Sequence, residues 1–277
     1  MRTRTVVVCV AILAALAFGP RLRGQFLPEE IGERAQWEEF LATADVVAEE
    51  QIISREAVTH PWRLKLKKGD IERNALWKDA EGRMAGYIEG WRFEIAAYRL
   101  DKLLELGRVP PTIERRLHDK RGSCQLWIDG CISLKQKEDQ KIRTPPIHLL
   151  VWNRGTYLQR AFDNLIANED RHMNQLLITQ PDWRQILIDH SRSFRTSKKF
   201  TQQLIYTAKH REGPKIMKEL PRAFVERLKA LTAETIRAAV GEYLDDDEIS
   251  AVLVRRDLIL AEVGRLVQEN GEGQVLY

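Results

Sequence analysis

The most informative stretch of this 277-residue chain runs from residue 163 to residue 195 and reads DNLIANEDRHMNQLLITQPDWRQILIDHSRSFR. Its two short apolar runs, Leu176–Ile178 and Gln185–Ile188, are predicted strands. Asp170 precedes the first strand, and Asp189 follows the second, 19 positions after Asp170. Because two antiparallel strands return to the same end of a hairpin, the pattern predicts that both carboxylates meet there.

Two convergent carboxylates suit phosphoryl transfer. One carboxylate orients the attacking hydroxyl and accepts its proton, while the other holds Mg²⁺ against the nucleotide phosphates. Mg²⁺ prefers one or two carboxylates plus phosphate oxygens over a cage of protein ligands alone. The sequence therefore predicts a catalytic Asp170 and a metal ligand at Asp189. The alternatives are a surface ion pair between Asp170 and Arg171 and a turn role for Asp189 at the strand end.

Two runs in this stretch resemble the atypical kinase superfamily. Asp163–His172 looks like its catalytic loop, and Ile186–Phe194 looks like its magnesium-binding strand end. The superfamily includes phosphatidylinositol 3- and 4-kinases, HipA-type bacterial kinases and secretory-pathway kinases of the Golgi. The resemblance covers roughly residues 60 to 275 in order and spacing and looks closest to exported bacterial members. It implies ATP and Mg²⁺ as cofactors, and Asp170 and Arg171 as catalytic residues.

The same resemblance implies roles for residues outside the loop. Lys78, in Ala75–Lys78, looks like the Lys that binds the nucleotide, and Glu94 stands where a helix Glu would pair with it. The alternatives are an exposed strand residue and a solvated helix residue. Kinases commonly place an Asn five positions after the loop Asp, as a second metal ligand. This position is Gln175 here, with Asn174 one residue earlier, so both are predicted metal ligands.

These runs predict an ATP- and Mg²⁺-dependent phosphotransferase that acts on a hydroxyl of a protein, lipid or glycan. One alternative is a non-catalytic pseudokinase that binds nucleotide or regulates a partner, which the Gln175 substitution favours. Another is a nucleotidyl transferase on the same fold. Arg192 and Arg195 are candidate contacts to the phosphates or the acceptor, or else plain surface arginines. The usual glycine-rich loop is absent, and Lys68–Asp70 is the nearest turn.

The pattern along the chain predicts an α+β, two-lobed kinase-like fold with a small β-rich N-lobe and a larger, mainly helical C-lobe. The predicted divisions are a helical lead-in over residues 25–56, an N-lobe over 57–135 and a C-lobe over 136–277. The predicted elements are a hairpin over Trp62–Lys78, a helix over Ile88–Leu106, strands Thr112–Arg116 and Gln125–Ile128 with a turn at Gly122–Ser123, a helix over Pro145–Asn168, and helices over Phe200–Val267.

Residues 1–24 match a secretory signal peptide, because Arg2 and Arg4 precede an uncharged apolar stretch, Thr5–Gly19. We therefore expect an exported protein, periplasmic or extracellular, or a membrane-anchored one if the segment is not cleaved. The four arginines of this segment account for the formal net charge of +4. The remainder is neutral, so nucleic acid is not an expected partner.

Two further features leave alternatives open or predict local structure. Export would permit a disulfide between Cys124 and Cys131, and two free thiols are the alternative. The acidic run Asp245–Glu248 predicts a helix start, where carboxylates suit the helix dipole.

Overall fold

The computed structural model describes residues 28–53, 59–84, 86–180, 182–210 and 212–277. The predicted signal segment lies outside these residues. No helix among those described is long and apolar enough to cross a bilayer. The helices are α1 Pro28–Ile31, α2 Arg34–Thr43, α3 Trp91–Leu103, α4 Leu134–Asp139, α5 Leu149–Ile166, α6 Lys198–Thr201, α7 Arg222–Ala230, α8 Ala233–Val240, α9 Asp246–Asn270 and α10 Glu272–Val275.

The strands form three antiparallel sheets. Their order is β1-β2-β3-β7-β6 in the large sheet, β10-β9-β8 in the second, and β4-β5 in the third. The bounds are β1 Asp45–Gln51, β2 Trp62–Lys68, β3 Ile71–Lys78, β4 Glu81–Met84, β5 Tyr87–Gly90, β6 Thr112–Leu117, β7 Lys120–Leu126, β8 Cys131–Ser133, β9 Leu176–Thr179 and β10 Gln185–Leu187.

The large sheet buries one face against α2. Leu64 and Leu66 alternate with exposed lysines along β2 and are fully buried, as a half-buried strand requires. They pack with Phe40 and Leu41 of α2 and with Trp77 of β3. Each such buried side chain contributes roughly 1.5–3 kcal/mol. This core therefore holds β3 in place, and Lys78 is its last residue.

A second core joins α3 to the helices of the C-terminal half. Phe93 and Leu100 of α3, Phe162 of α5, and Ile259 of α9 all belong to it. The apolar spacing of α3 and α5 predicted these helices correctly, although α3 begins at Trp91 rather than Ile88. The helix that faces the sheet is thus anchored in the larger helical core.

Three sequence-based predictions of local structure are wrong. The helical lead-in over residues 25–56 contains a strand at Asp45–Gln51. The turn predicted at Gly122–Ser123 lies at His118 and Asp119, and Gly122 is inside β7. The helical pattern of Phe200–Val267 is interrupted, because the described residues between 202 and 219 form turns and irregular backbone.

Two other expectations have definite outcomes. Asp245 caps α9 in a reciprocal capping box with Glu248, so the acidic run does begin a helix. Cys124 and Cys131 are free thiols on strands of different sheets. Burial raises the pKa of each thiol to about 12, so both are held in the unreactive protonated form.

Candidate active site

Lys78 lies between two carboxylates at the end of β3. Its Nζ is 2.7 Å from Oε1 of Glu94 on α3 and 2.6 Å from Oδ1 of Asp189. Burial disfavours the charged ammonium, but Asp189 and Glu94 outweigh it and raise the pKa of Lys78. The cation is therefore permanently charged and fixed by two separate elements.

Glu94 also fixes the backbone next to Asp189. Its Oε2 accepts a 2.8 Å hydrogen bond from the backbone N–H of His190. Burial favours protonation, but Lys78 and the bonding from His190 lower the pKa of Glu94. Asp189 itself has φ of 62°, a left-handed conformation that Asp tolerates better than most residues. This strained residue is held in place by Glu94, as happens at functional sites.

Gln175 brings Asp170 and Asp189 into one site. Its Nε2 is 3.0 Å from Oδ2 of Asp189 and 3.4 Å from Oδ2 of Asp170. The side chains of Asp189 and Asp170 are 36% and 30% exposed, so solvent reaches both carboxylates. The structure thus places the two carboxylates together, as the hairpin of β9 and β10 predicted.

The two carboxylates have opposite electrostatic environments. Burial would favour protonation of Asp189, but the charge and hydrogen bond of Lys78 lower its pKa. Burial raises the pKa of Asp170, and nearby Arg192 opposes that rise without cancelling it. A carboxylate with a lowered pKa suits a metal ligand, and one with a raised pKa suits a proton acceptor.

Arg171 is not in a surface ion pair with Asp170. Its side chain is 4% exposed and forms a two-pronged contact with Asp163 at 3.0 and 2.9 Å. Its Nη1 also donates to the carbonyls of Gln175 and Ile188, at 2.9 and 2.5 Å. Arg171 therefore ties the loop to the strand end before Asp189, and this placement favours a positioning role over contact with a substrate.

The neighbouring amide, Asn174, is half-buried, and its backbone N–H bonds to Nδ1 of His172. Gln175 is the amide seen to contact the carboxylates. His190 is fully buried with its ring edge-on to Phe162, which makes it part of the core.

Sequence reasoning missed two carboxylates that organise the site. Asp163 holds Arg171, and Glu89 on β5 is 2.6 Å from Nε of Arg192. Arg192 in turn contacts Asp170 at 3.0 Å. Glu89 gave no signal because the hairpin of β4 and β5 was not predicted, whereas Asp163 stood in the quoted loop without an assigned partner.

The donors present fit a nucleotide-bound Mg²⁺. Within the described ranges, no group of three or more His, Cys, Asp or Glu could hold a metal ion by itself. Asp189 offers a carboxylate, and the Gln175 amide a carbonyl, of the kinds that Mg²⁺ uses together with phosphate oxygens. Lys78 beside them would bind an anionic ligand.

Two open cavities border the loop but do not contain the central cluster. The larger, about 930 Å³, is lined by Glu169, Phe200 and Tyr206. The other, about 510 Å³, lies beside the β4–β5 hairpin and is lined by Tyr87 and Glu169 among others. Lys78, Asp170 and Asp189 line neither of these two cavities.

No protein-family model matches the chain, and no curated protein does. Solved structures do match. The structure of hydra Fam20 with sugar has a TM-score of 0.64 and 15% sequence identity, and the match covers 89% of this chain and 92% of that chain. The chain has a kinase-like fold. The Helicobacter pylori proinflammatory kinase CtkA matches with a TM-score of 0.53 and 10% identity, over 82% of this chain and 98% of that chain.

The kinase-like fold confirms the predicted fold class. Both matches extend over most of each chain, so the likeness includes the β-rich N-terminal region and the helical C-terminal region. At such low identities the likeness establishes the fold alone. The roles of individual residues rest on the geometry above.

Proposed function

We propose that this protein is a kinase that transfers the γ-phosphoryl group of ATP to a hydroxyl of a protein, lipid or glycan. The observation that carries the proposal is the continuous contact from Glu94 through Lys78 and Asp189 to Gln175 and Asp170. It provides a cation for phosphates, a carboxylate for a metal and a second carboxylate for a proton. The kinase-like neighbours support the same reaction class.

In this proposal Lys78 orients the nucleotide phosphates, and Glu94 holds Lys78 in one pose. The contact between Lys78 and Asp189 is replaced when a nucleotide enters, because phosphate oxygens compete for the ammonium. Asp189 and the Gln175 amide would hold Mg²⁺. When bound, Mg²⁺ would neutralise charge on the phosphates.

Asp170 acts as the proton acceptor. The acceptor hydroxyl donates a hydrogen bond to Asp170 and its oxygen attacks the γ-phosphorus. The O–H proton passes to Asp170, the new O–P bond forms, and the bond between the γ-phosphorus and the bridging oxygen breaks to release ADP. Asp170 then loses the proton to solvent, which its 30% exposure allows.

Gln175 would need one local change to bind a metal. Its Nε2 faces the carboxylates, while its Oε1 accepts a 3.3 Å bond from the His172 N–H. Rotation of the amide by half a turn exchanges these atoms and presents Oε1 to the metal. The change gives up three hydrogen bonds, the one from the His172 N–H and the two from Nε2 to the carboxylates, in exchange for contact with the metal.

The proposal is tested by mass spectrometry of candidate acceptors incubated with ATP and Mg²⁺. A kinase adds one phosphoryl group, and Asp170→Asn is expected to leave only residual product while keeping Mg²⁺–nucleotide binding intact. Addition of an adenylyl group would instead indicate nucleotidyl transfer. Binding of nucleotide with no product on protein, lipid or glycan acceptors, and no ATP hydrolysis, would indicate a pseudokinase. Asp139→Asn, an exposed acid on α4, is the control.

We also propose that residues 1–24 act as a signal that directs export of the protein. Expression of the full chain with a C-terminal tag in a bacterial host tests it. N-terminal sequencing of the exported form is expected to find a new start after Ala17 or near Gly24, as a cleaved signal requires. An intact Met1 in the membrane fraction would indicate an anchor, and an intact Met1 in the cytoplasm would contradict export.

A further inference from the structure

The hairpin of β4 and β5 is attached to the segment that follows Asp189. It lies in sequence between the Lys78 strand and α3. The backbone N–H of Gly90 donates to the carbonyl of Ser191 at 2.9 Å, and the N–H of Trp91 donates to the carbonyl of Ala80 at 2.9 Å. The hairpin is thereby fixed beside the segment that follows Asp189.

Glu89 on this hairpin is a buried carboxylate whose charge partner is Arg192. Glu89 is 2% exposed, and its Oε1 accepts from Nε of Arg192 at 2.6 Å. Its Oε2 is buried and has no hydrogen-bond partner among the described residues. A buried carboxylate is costly without a paired cation, so Glu89 holds the Nε side of Arg192 firmly.

The other side of the Arg192 guanidinium faces the catalytic carboxylate. Its Nη1 lies 3.0 Å from Oδ2 of Asp170, and its plane lies over the Tyr87 ring at 4.2 Å. Its Nη2 bonds to no residue within the described part of the chain. Donors of this planar group therefore remain for a ligand beside Asp170.

The Nη side of Arg192 lies next to the expected position of the γ-phosphoryl group. An acceptor hydroxyl must lie about 2.6–3.2 Å from Asp170 to give up its proton. Its oxygen must also approach the γ-phosphorus to about 3–3.5 Å. A guanidinium in contact with Asp170 is thus adjacent to the phosphoryl group, and its fork matches phosphate oxygens.

We propose that Arg192 binds the terminal phosphate of the nucleotide, and that Glu89 and Tyr87 are its positioning residues. This inference rests on the proposed kinase function. With no nucleotide, the Nη side of Arg192 bonds to Asp170. A terminal phosphate draws it away while Nε stays on Glu89, and Asp170 is freed to accept the hydroxyl proton.

Calorimetric binding of two probes tests this Arg192 clamp, meaning the contact between its guanidinium and the terminal phosphate, and it needs no acceptor. Mg²⁺–ADP lacks the terminal phosphate, and Mg²⁺ with adenylyl imidodiphosphate retains it. The parent protein is expected to bind the triphosphate analogue about tenfold more tightly, as one charge-assisted contact allows. Arg192→Gln loses this preference but keeps its affinity for Mg²⁺–ADP, and Arg192→Lys is intermediate. Arg83→Gln, an exposed arginine of the same hairpin, is the matched control and behaves as the parent.

Measurements of kcat distinguish a positioning role of Glu89 and Arg192 from a role in folding alone. We expect Arg192→Gln to lower kcat for phosphate release from ATP by roughly 10²–10³-fold, as removal of a transition-state donor does. Glu89→Gln keeps the shape of its side chain but loses the charge, so it lowers kcat less and weakens only the triphosphate preference. A residue that merely supported the fold would instead change both nucleotide affinities together with Tm.

The outcomes distinguish the two proposals. If the parent binds neither nucleotide, the kinase function fails and the clamp fails with it. If the parent binds both, but Arg192→Gln keeps its triphosphate preference and kcat as Arg83→Gln does, the clamp alone is overturned.

Discussion

Lys78 carries a charge that two other buried or half-buried residues need. Its side chain is 8% exposed and that of Glu94 is 3% exposed. Removing one partner of a buried pair typically costs about 3–5 kcal/mol, because the other charge remains uncompensated. The site is therefore held together by the same contacts that prepare it for an anion.

Lys78→Met is expected to lower the free energy of unfolding more than the double variant Lys78→Met/Glu94→Leu, because the double variant also removes the buried Glu94 carboxylate that the single variant leaves without its cation. Urea denaturation at neutral pH measures both. Equal losses in the single and double variants would show that the pair carries no coupled charge.

The raised pKa of Asp170 gives the reaction a definite pH dependence. A proton acceptor works only when ionised, so kcat/KM falls as the pH drops through the pKa of Asp170. Because burial raises that pKa, the loss begins at a higher pH than for a free Asp, near 3.9. The dependence of kcat/KM on pH checks this. If the residual activity of Asp170→Asn showed the same loss at low pH, that loss would belong to another titrating group.

Gly122 shows how a strand positions the site. A Cβ at this position would lie 2.4 Å from the Lys78 carbonyl oxygen and 2.6 Å from the Trp77 ring. Neither neighbour is a flexible chain end, so β7 can approach β3 at Lys78 only without a side chain. The glycine that suggested a turn in the sequence instead permits close packing beside Lys78.

Gly122→Ala is expected to destabilise the protein by about 1–3 kcal/mol, as overpacking does, and to weaken Mg²⁺–nucleotide binding by shifting Lys78. Gly264→Ala in α9 is the control, since its Cβ would meet no atom within 4 Å, and it should stabilise the helix by up to about 1 kcal/mol. Thermal melts and nucleotide titrations measure the two effects. If Gly122→Ala were destabilised but bound Mg²⁺–nucleotide as tightly as the parent, the packing of β7 would not determine the position of Lys78.

At the scale of the molecule, local patterns predicted the parts of the fold that depend on neighbours in sequence. The β9–β10 hairpin places Asp170 and Asp189 together because strand alternation and a short connection suffice. Long-range contacts could not be predicted from the local pattern: the resemblance to kinases placed Lys78 in the site of Asp189, 111 residues away, but nothing indicated the Glu89–Arg192 pair, which spans 103 residues. β1 was mistaken for helix because, at the edge of the sheet, it is almost wholly exposed and lacks an apolar alternation.

The proposed mechanism requires a metal-bound triphosphate held by Asp189 beside Asp170, with Lys78 turned to its phosphates. A crystal structure with Mg²⁺ and adenylyl imidodiphosphate tests this directly. We expect the metal on Asp189, the terminal phosphate beside Asp170, and Lys78 bonded to phosphate oxygens while it keeps Glu94. A nucleotide bound elsewhere, with the Lys78–Asp189 contact unchanged, would contradict the account.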